Sequence, residues 1–237
     1  SLSQDPHEHL QATSIVMEPP FAMKVDRSIQ QDLLARAGID VSGSFYSEEA
    51  FLLYALTHLA PGGHAYVLAP AASAYRRQSI QLRQTFVAHG VVEAVIQMPP
   101  RLLSYSVIPT VLWVLRAPES TPDTTVLIAD ASNATSPETQ VGEWLADMRS
   151  GRDTSIPSKR LTLAELITNE GTLLPAQLLR EAPDQQEVRD NLHQSVSDMV
   201  STLASLHDME KVREGLFDSL PTSTSTASLQ QLIEAGL

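Results

Sequence analysis

The segment Glu18-Pro19-Pro20-Phe21 combines a hydrogen-bond acceptor, two prolines and an aromatic ring. The apolar residues Ile15-Val16-Met17 precede it and predict a short buried strand that the two prolines end. The Glu18 side chain can accept hydrogen bonds, and the Phe21 ring can stack on a flat ring. The alternative is structural, because two prolines after a strand often do no more than end it.

The arginines Arg76 and Arg77 form the only basic cluster of the sequence. They follow a strand predicted to end at Pro70, on the same sheet edge as Phe21. One interpretation is a contact with phosphate or DNA, and the other is the solvated start of a helix. Arg101, in the loop after another double proline, presents the same choice.

The histidines give no metal or hydrolytic site. His7-Glu8-His9 has two candidate ligands near a terminus but no further ligands, so we expect exposed side chains and no metal. His58, His64 and His89 lie near predicted element ends, and their spacing supports no Ser-His-Asp arrangement.

Strands and helices are predicted to alternate between residues 15 and 116. The apolar pattern predicts helices that end near Gly38, at Pro61-Gly62-Gly63 and at Gly90, the first beginning with a capping box at Ser28. The predicted strands cover residues 15–17, 65–69, 91–98 and 110–116. This alternation is typical of a doubly wound α/β sheet whose functional edge lies at the carboxyl ends of its strands.

The rest of the chain is predicted to be peripheral and helical. A further strand at 126–128, a helix at 136–149 and a polar loop at 151–158 are expected. From about Asp184 apolar residues recur every three or four positions to Leu216, which predicts one long amphipathic helix or a helical hairpin. A linker after Pro221 and a short helix around Leu229, Leu232 and Ile233 complete the chain. The predicted domains are 1–132, 133–183 and 184–237.

Composition indicates a globular protein of a reducing compartment. The 237 residues are 43% hydrophobic, enough for one moderate domain with an appendage. The absence of Cys excludes disulfides, a thiolate metal site and a Cys nucleophile, and favours the cytoplasm. The longest apolar runs are of strand length, so no membrane span or signal peptide is predicted.

The net charge of −12 is unevenly distributed. Residues 1–116 hold 8 basic and 9 acidic residues, and residues 117–237 hold 8 and 19. A protein that binds nucleic acid alone usually has a basic face. Any DNA contact would therefore need a partner or a small local patch.

The Glu18–Phe21 segment resembles the (Asn/Asp/Ser)-Pro-Pro-(Tyr/Phe) motif of amino-methyltransferases that act on DNA bases. This resemblance implies that the Glu18 side chain and the Pro19 carbonyl accept the two hydrogens of an exocyclic amine and direct its lone pair toward the methyl donor. The Phe21 ring would stack on the extruded base.

Later segments resemble, in order, the modification (methyltransferase) subunits of type I restriction-modification systems, within the N6-adenine DNA methylase family. The matching segments are Leu59-Ala60-Pro61-Gly62-Gly63, 91–100, Ile108-Pro109-Thr110 and Trp113-Val114-Leu115-Arg116, with a weaker continuation through 164–167 to Leu173-Leu174. The resemblance implies the C-terminal part of a Rossmann-like methyltransferase domain. It also implies C-terminal helices that dock on a DNA-specificity subunit.

Two features depart from that family. Glu18 stands where members have Asn, and it is anionic and one methylene longer, so the base amine would be displaced; a displacement on the order of 1 Å can cost about a hundredfold in rate. The methyl donor implied by the resemblance is S-adenosylmethionine, yet no G-x-G turn occurs and only 17 residues precede Glu18. We therefore expect the donor-binding segment to be missing from this chain, as in a fragment, a split enzyme or a degenerate relative.

Two hypotheses follow. The first is the C-terminal part of a DNA adenine-N6 methyltransferase that carries the target-base pocket, is inactive in isolation and contacts DNA within a complex. A homodimer is a further candidate assembly. The alternative is a non-catalytic, degenerate assembly module whose helices bind a partner subunit.

Overall fold

The computed structural model describes residues 5, 7–180, 185–218, 230 and 234. The chain forms two units, residues 1–180 and 181–237. The first unit contains a six-stranded sheet with helices on it, and the second contains a long helix.

The sheet has the strand order β1-β2-β4-β3-β5-β6. Its strands are β1 (Ala12–Met17), β2 (Leu59–Pro70), β3 (Val92–Gln97), β4 (Thr110–Arg116), β5 (Thr125–Asp130) and β6 (Ser158–Thr162). Strand β1 is parallel to β2, and β3 is parallel to β5. Strand β4 lies antiparallel between β2 and β3, and β6 is antiparallel to β5. The sheet is therefore mixed.

Helices cover both faces of the sheet. The helices of the first unit are α1 (Arg27–Ala37), α2 (Ser47–Thr57), α3 (Ile80–Ala88), α4 (Pro137–Ser150), α5 (Leu163–Thr168) and α6 (Pro175–Leu178). The second unit contains α7 (Gln185–Asp218). One core cluster holds Trp113 with residues of α1, α2 and α3, and a second holds Trp144 of α4. All six residues of β3 are buried. The predicted α/β class is confirmed.

Helix ends follow the sequence signals in part. Gly38 ends α1 in the left-handed conformation, as predicted. The residue that precedes α1 is Asp26, so the predicted capping box at Ser28 is wrong. Helix α2 ends at Thr57, and Pro61-Gly62-Gly63 lies inside β2 rather than ending the helix. A Cβ atom at Gly63 would lie 2.9 Å from the Ala12 carbonyl oxygen. The close approach of the paired strands β1 and β2 at this point therefore requires glycine.

Strand β1 is one of the two edge strands of the sheet. None of its six residues is buried, and Val16 is 81% exposed, so the predicted buried strand is wrong. Pairing on one side only leaves its other side without a neighbouring strand among the described residues.

Residues 133–180 belong to the first unit rather than to a peripheral segment. Strand β6 begins at Ser158, where the predicted loop ends, and pairs with β5, and α4 buries Trp144, Leu145 and Met148. The unit therefore extends to Arg180.

Helix α7 is continuous, so the hairpin alternative is wrong. The linker after Pro221 and the short helix around Leu229, Leu232 and Ile233 lie outside the described residues. Within the described part of the chain, no helix is long and apolar enough to span a membrane.

Candidate functional site

The segment after β1 lines a cavity of about 540 Å³ at the carboxyl edge of the sheet. Glu18 and Pro20 are exposed, Pro19 is buried and Phe21 is half-buried. All four residues border the cavity, which places the predicted pocket residues together in one concave surface.

The loop between β3 and β4 forms the opposite wall. Tyr105 and Ser106 line the same cavity, and the Tyr105 side chain is 71% exposed. Tyr105 was not predicted from the sequence, although an aromatic residue in a loop at the carboxyl edge was a usable signal. The cavity therefore offers two aromatic side chains, Phe21 and Tyr105.

The start of α2 holds the Pro-Pro loop. The Ser47 hydroxyl donates to the Pro20 carbonyl over 2.6 Å and accepts from the Met23 N–H over 3.1 Å. The Ser47 N–H donates to the Met23 carbonyl over 2.9 Å. The Ala22 N–H donates to the Glu48 carboxylate over 3.1 Å. Four hydrogen bonds thus fix the residues on both sides of Phe21.

Arg76 is bound within the protein. Its guanidinium lies 2.9 Å from the Glu48 carboxylate and 3.4 Å from Glu49, and it stacks on the Tyr46 ring at 4.3 Å. Burial lowers the pKa of Arg76, but the hydrogen bond to Glu48 and the charge of Glu49 raise it above its ordinary value. Burial raises the pKa of Glu49, against the opposing hydrogen bond from Ser79. These contacts argue against the phosphate contact predicted for Arg76.

Arg77 and Arg101 differ from Arg76. Both are exposed, and neither forms an ion pair with a described residue. Arg101 has a left-handed φ of 58°, in the loop that carries Tyr105. Neither arginine lines the cavity, so their predicted DNA contacts stay predictions.

Glu18 forms no hydrogen bond or ion pair with the described residues. Its carboxylate is exposed at the cavity, with its acceptor capacity unused. The Glu18 oxygens and the Pro19 carbonyl can therefore accept the hydrogens of an amine that enters this cavity.

The residues of this chain do not fit the S-adenosylmethionine site implied by the resemblance. The sequence contains no G-x-G turn, and β1 has no described neighbour on its outer side that could supply a turn or an acidic strand end there. Among the described residues, the carboxyl edge thus holds the Glu18–Phe21 cavity without a glycine turn beside it.

A second buried ion pair lies away from the cavity, toward the amino ends of β2 and β3. Arg149 pairs with Glu93 through two contacts of 2.6 and 2.9 Å, and His64 lies 3.2 Å from the same carboxylate. The hydrogen bond to Glu93 raises the pKa of Arg149. This cluster joins α4 to the sheet. Across the described ranges, no group of three ligand-type side chains could hold a metal.

The family model described as N-6 DNA Methylase matches residues 1–149, more than half of the chain. This chain belongs to the N-6 DNA methylase family. The predicted resemblance is thereby confirmed. No curated protein matches the chain.

Solved structures share the fold of this N-6 DNA methylase family member. The methyltransferase subunit of a type I restriction-modification system from Streptococcus thermophilus is 20% identical, with a TM-score of 0.61 over 74% of this chain and 40% of that chain. A chain from a study of complex assembly in the type I restriction-modification system is 17% identical, with a TM-score of 0.56 over 93% and 48%. The type IIG restriction endonuclease BpuSI is 15% identical, with a TM-score of 0.52 over 75% and 22%.

The chain spans less than half the length of each of these proteins. At this level of identity the likeness establishes the fold alone. It confirms that the N-6 DNA methylase family member described here has part of a Rossmann-like methyltransferase fold.

Proposed function

We propose that this chain is the C-terminal part of a DNA adenine-N6 methyltransferase of the type I restriction-modification kind, and that it carries the pocket for the target base. One observation supports the proposal most strongly. The Glu18–Phe21 segment and Tyr105 border one cavity at the carboxyl edge of a methyltransferase-type sheet.

In this proposal, the cavity holds an adenine that has left the DNA stack. The Glu18 carboxylate and the Pro19 carbonyl accept the two hydrogens of the exocyclic amine, which orients its lone pair. Phe21 and Tyr105 offer aromatic faces to the base, and stacking offsets part of the cost of extruding it.

S-adenosylmethionine supplies the methyl group in this class of reaction. We place its binding site outside this chain, because the sequence has no G-x-G turn and no described strand lies on the outer side of β1. The residues described here hold and orient the acceptor, and the isolated chain is expected to be inactive.

Replacing Glu18 by Asn should raise methylation of DNA by the assembly that contains this chain. The shorter neutral amide still accepts one hydrogen bond but places no anion beside the base. Because it also corrects the position of the base amine, the rate of methyl transfer should rise by up to about a hundredfold. Transfer of tritiated methyl groups to DNA measures the rate. Glu18→Gln is the matched control because it removes the charge and keeps the length. A loss of activity in Glu18→Asn would mean that the carboxylate itself is required.

The alternative, an assembly module, is favoured by a separate feature of α7. Five apolar side chains on this helix are spaced four, three, four and three residues apart, and each is between 47 and 63% exposed. They are Leu192, Val196, Met199, Leu203 and Leu206. This heptad spacing is typical of a helix that packs along another helix. We propose that this apolar stripe contacts the helices of a DNA-specificity subunit.

The double variant Val196→Asp/Leu203→Asp should abolish co-purification with the specificity subunit, because two charges would be buried in the helix contact. Ser201→Asp, on the opposite side of α7, should leave co-purification unchanged. Size-exclusion chromatography of the full chain separates this outcome from a homodimer. Retained binding to the specificity subunit in the double variant would refute the proposed contact.

A further inference from the structure

Glu48 is a completely buried carboxylate that lies next to the base pocket without lining it. Its side chain is 0% exposed, and it accepts from the Ala22 N–H over 3.1 Å and from Arg76 over 2.9 Å. Burying a charge is unfavourable unless the charge is paired and hydrogen-bonded. Arg76 supplies the opposite charge, the Ala22 N–H supplies a backbone donor, and the Ser47 hydroxyl lies 3.2 Å from the second carboxylate oxygen.

The residue held by Glu48 has an unfavourable backbone. Ala22 has a φ of 55°, a left-handed conformation that is costly for a residue with a side chain. Such residues persist where the surrounding structure holds them, and they cluster at functional sites. Ala22 directly follows Phe21, so its conformation sets the direction in which the chain leaves the aromatic residue of the pocket.

Ser47 holds the loop on the other side of Phe21. Its hydroxyl is bonded to the Pro20 carbonyl and to the Met23 N–H, and the side chain is buried. With the Glu48 contact, hydrogen bonds thus hold Pro20, Ala22 and Met23 on the two sides of the ring. None of the three contacts occupies the cavity itself.

We propose that Glu48, supported by Ser47 and paired with Arg76, is the positioning residue that fixes Phe21 for the target base. This inference rests on the proposed function, because it assigns the buried cluster to the same pocket. Glu48 acts through the Ala22 backbone and touches neither base nor donor. In this proposal Arg76 belongs to the buried cluster and does not contact DNA.

Amide hydrogen exchange of the full chain tests the positioning without any need for methylation. Glu48→Ala should raise the exchange rates of the Ala22 and Met23 amides at least about tenfold, because the acceptor for the Ala22 N–H is lost. Glu48→Gln should restore most of the protection, since its side-chain oxygen still accepts. Glu93→Ala is the control, because it breaks the ion pair of another buried carboxylate away from the loop.

An equal rise of exchange in Glu93→Ala and Glu48→Ala, or no rise in Glu48→Ala, would overturn the proposal. If Glu48→Ala does not fold, Ser47→Ala replaces it, and the Met23 amide should then exchange at least about tenfold faster. Unchanged exchange of Met23 in that variant would overturn the proposal as well.

Kinetics of the assembled enzyme provide a second measurement. In Glu48→Ala, kcat for methyl transfer should be about a hundredfold lower than in the wild type, because the Pro-Pro loop is misplaced. The KM for DNA should stay within about threefold, because no DNA contact is removed. A raised KM with unchanged kcat would contradict positioning. If the wild-type assembly transfers no methyl group, the proposed function fails, while the exchange result still decides whether Glu48 holds the loop.

Discussion

Phe21→Ala is expected to lower the rate of DNA methylation about 5- to 150-fold in the assembled enzyme. Removing the ring takes away one stacking surface of the cavity, and base–aromatic stacking is worth about 1–3 kcal/mol per base. Transfer of tritiated methyl groups to a DNA that contains the target site measures the initial rate.

Two controls make this result specific. Phe21→Tyr keeps the ring and should retain most of the activity. Met23→Ala changes an exposed residue of the same loop that does not line the cavity, and its rate should match the wild type. If Phe21→Ala methylates DNA at the wild-type rate, Phe21 does not stack on the target base.

Tyr105 extends the same experiment. If both rings face one base, Tyr105→Ala should lower the rate of DNA methylation. The change in activation free energy in the double variant Phe21→Ala/Tyr105→Ala should then differ from the sum of the two single changes. Strict additivity of the two free-energy changes would mean that the rings act on different parts of the DNA.

Trp113→Ala is expected to lower the free energy of unfolding by about 3–5 kcal/mol. The side chain is 0% exposed on β4, opposite Val67 on one neighbouring strand and Val95 on the other. Its indole N–H donates to the Ser73 hydroxyl over 2.9 Å. The loss removes packing at the centre of the sheet and leaves the buried Ser73 with one partner fewer. Domains are stable by about 5–15 kcal/mol, so much of the stability would be lost.

Urea unfolding followed by circular dichroism measures this effect. Trp113→Phe should lower the free energy of unfolding by less than Trp113→Ala, since it keeps an aromatic ring and loses mainly the hydrogen bond. Arg77→Ala, at an exposed position, should change the free energy of unfolding by less than about 0.5 kcal/mol. A Trp113→Ala variant as stable as the wild type would contradict the central position of this residue in the core.

The most regular elements could be predicted from local patterns. Strand β4 has the predicted bounds of 110–116 because its apolar run is continuous and buried. Gly38 ends α1 because only glycine adopts that left-handed conformation at little cost. In these places the local preference and the tertiary packing agree.

Other features depend on contacts between distant segments. Pro61-Gly62-Gly63 has a helix-breaking pattern, yet it forms part of β2 because Gly63 lets the backbone pass close to Ala12. Strand β1 has the composition of a buried strand but lies at the sheet edge. Nothing local distinguishes these outcomes, since the neighbours that decide them are far along the chain.

The candidate site, like the fold, could be predicted from the sequence only where a local pattern determines it. The Pro-Pro segment has its own local pattern, and it does line a cavity. Tyr105 enters the site only because the loop after β3 reaches the loop after β1. Arg76 was predicted as a DNA contact or a solvated helix start, but the fold brings Glu48 and Glu49 within ion-pair distance of it.

Photochemical crosslinking tests most directly whether this chain holds the target base. DNA with a photoreactive base analogue at the target position is irradiated in the complete assembly, and the crosslinked peptides are mapped by mass spectrometry. The same analogue placed several positions away is the control. We expect crosslinks to peptides that contain Phe21 or Tyr105 from the target position only. Crosslinks elsewhere, with both peptides unmodified in an assembly that methylates DNA, would show that the base pocket is not formed by these residues.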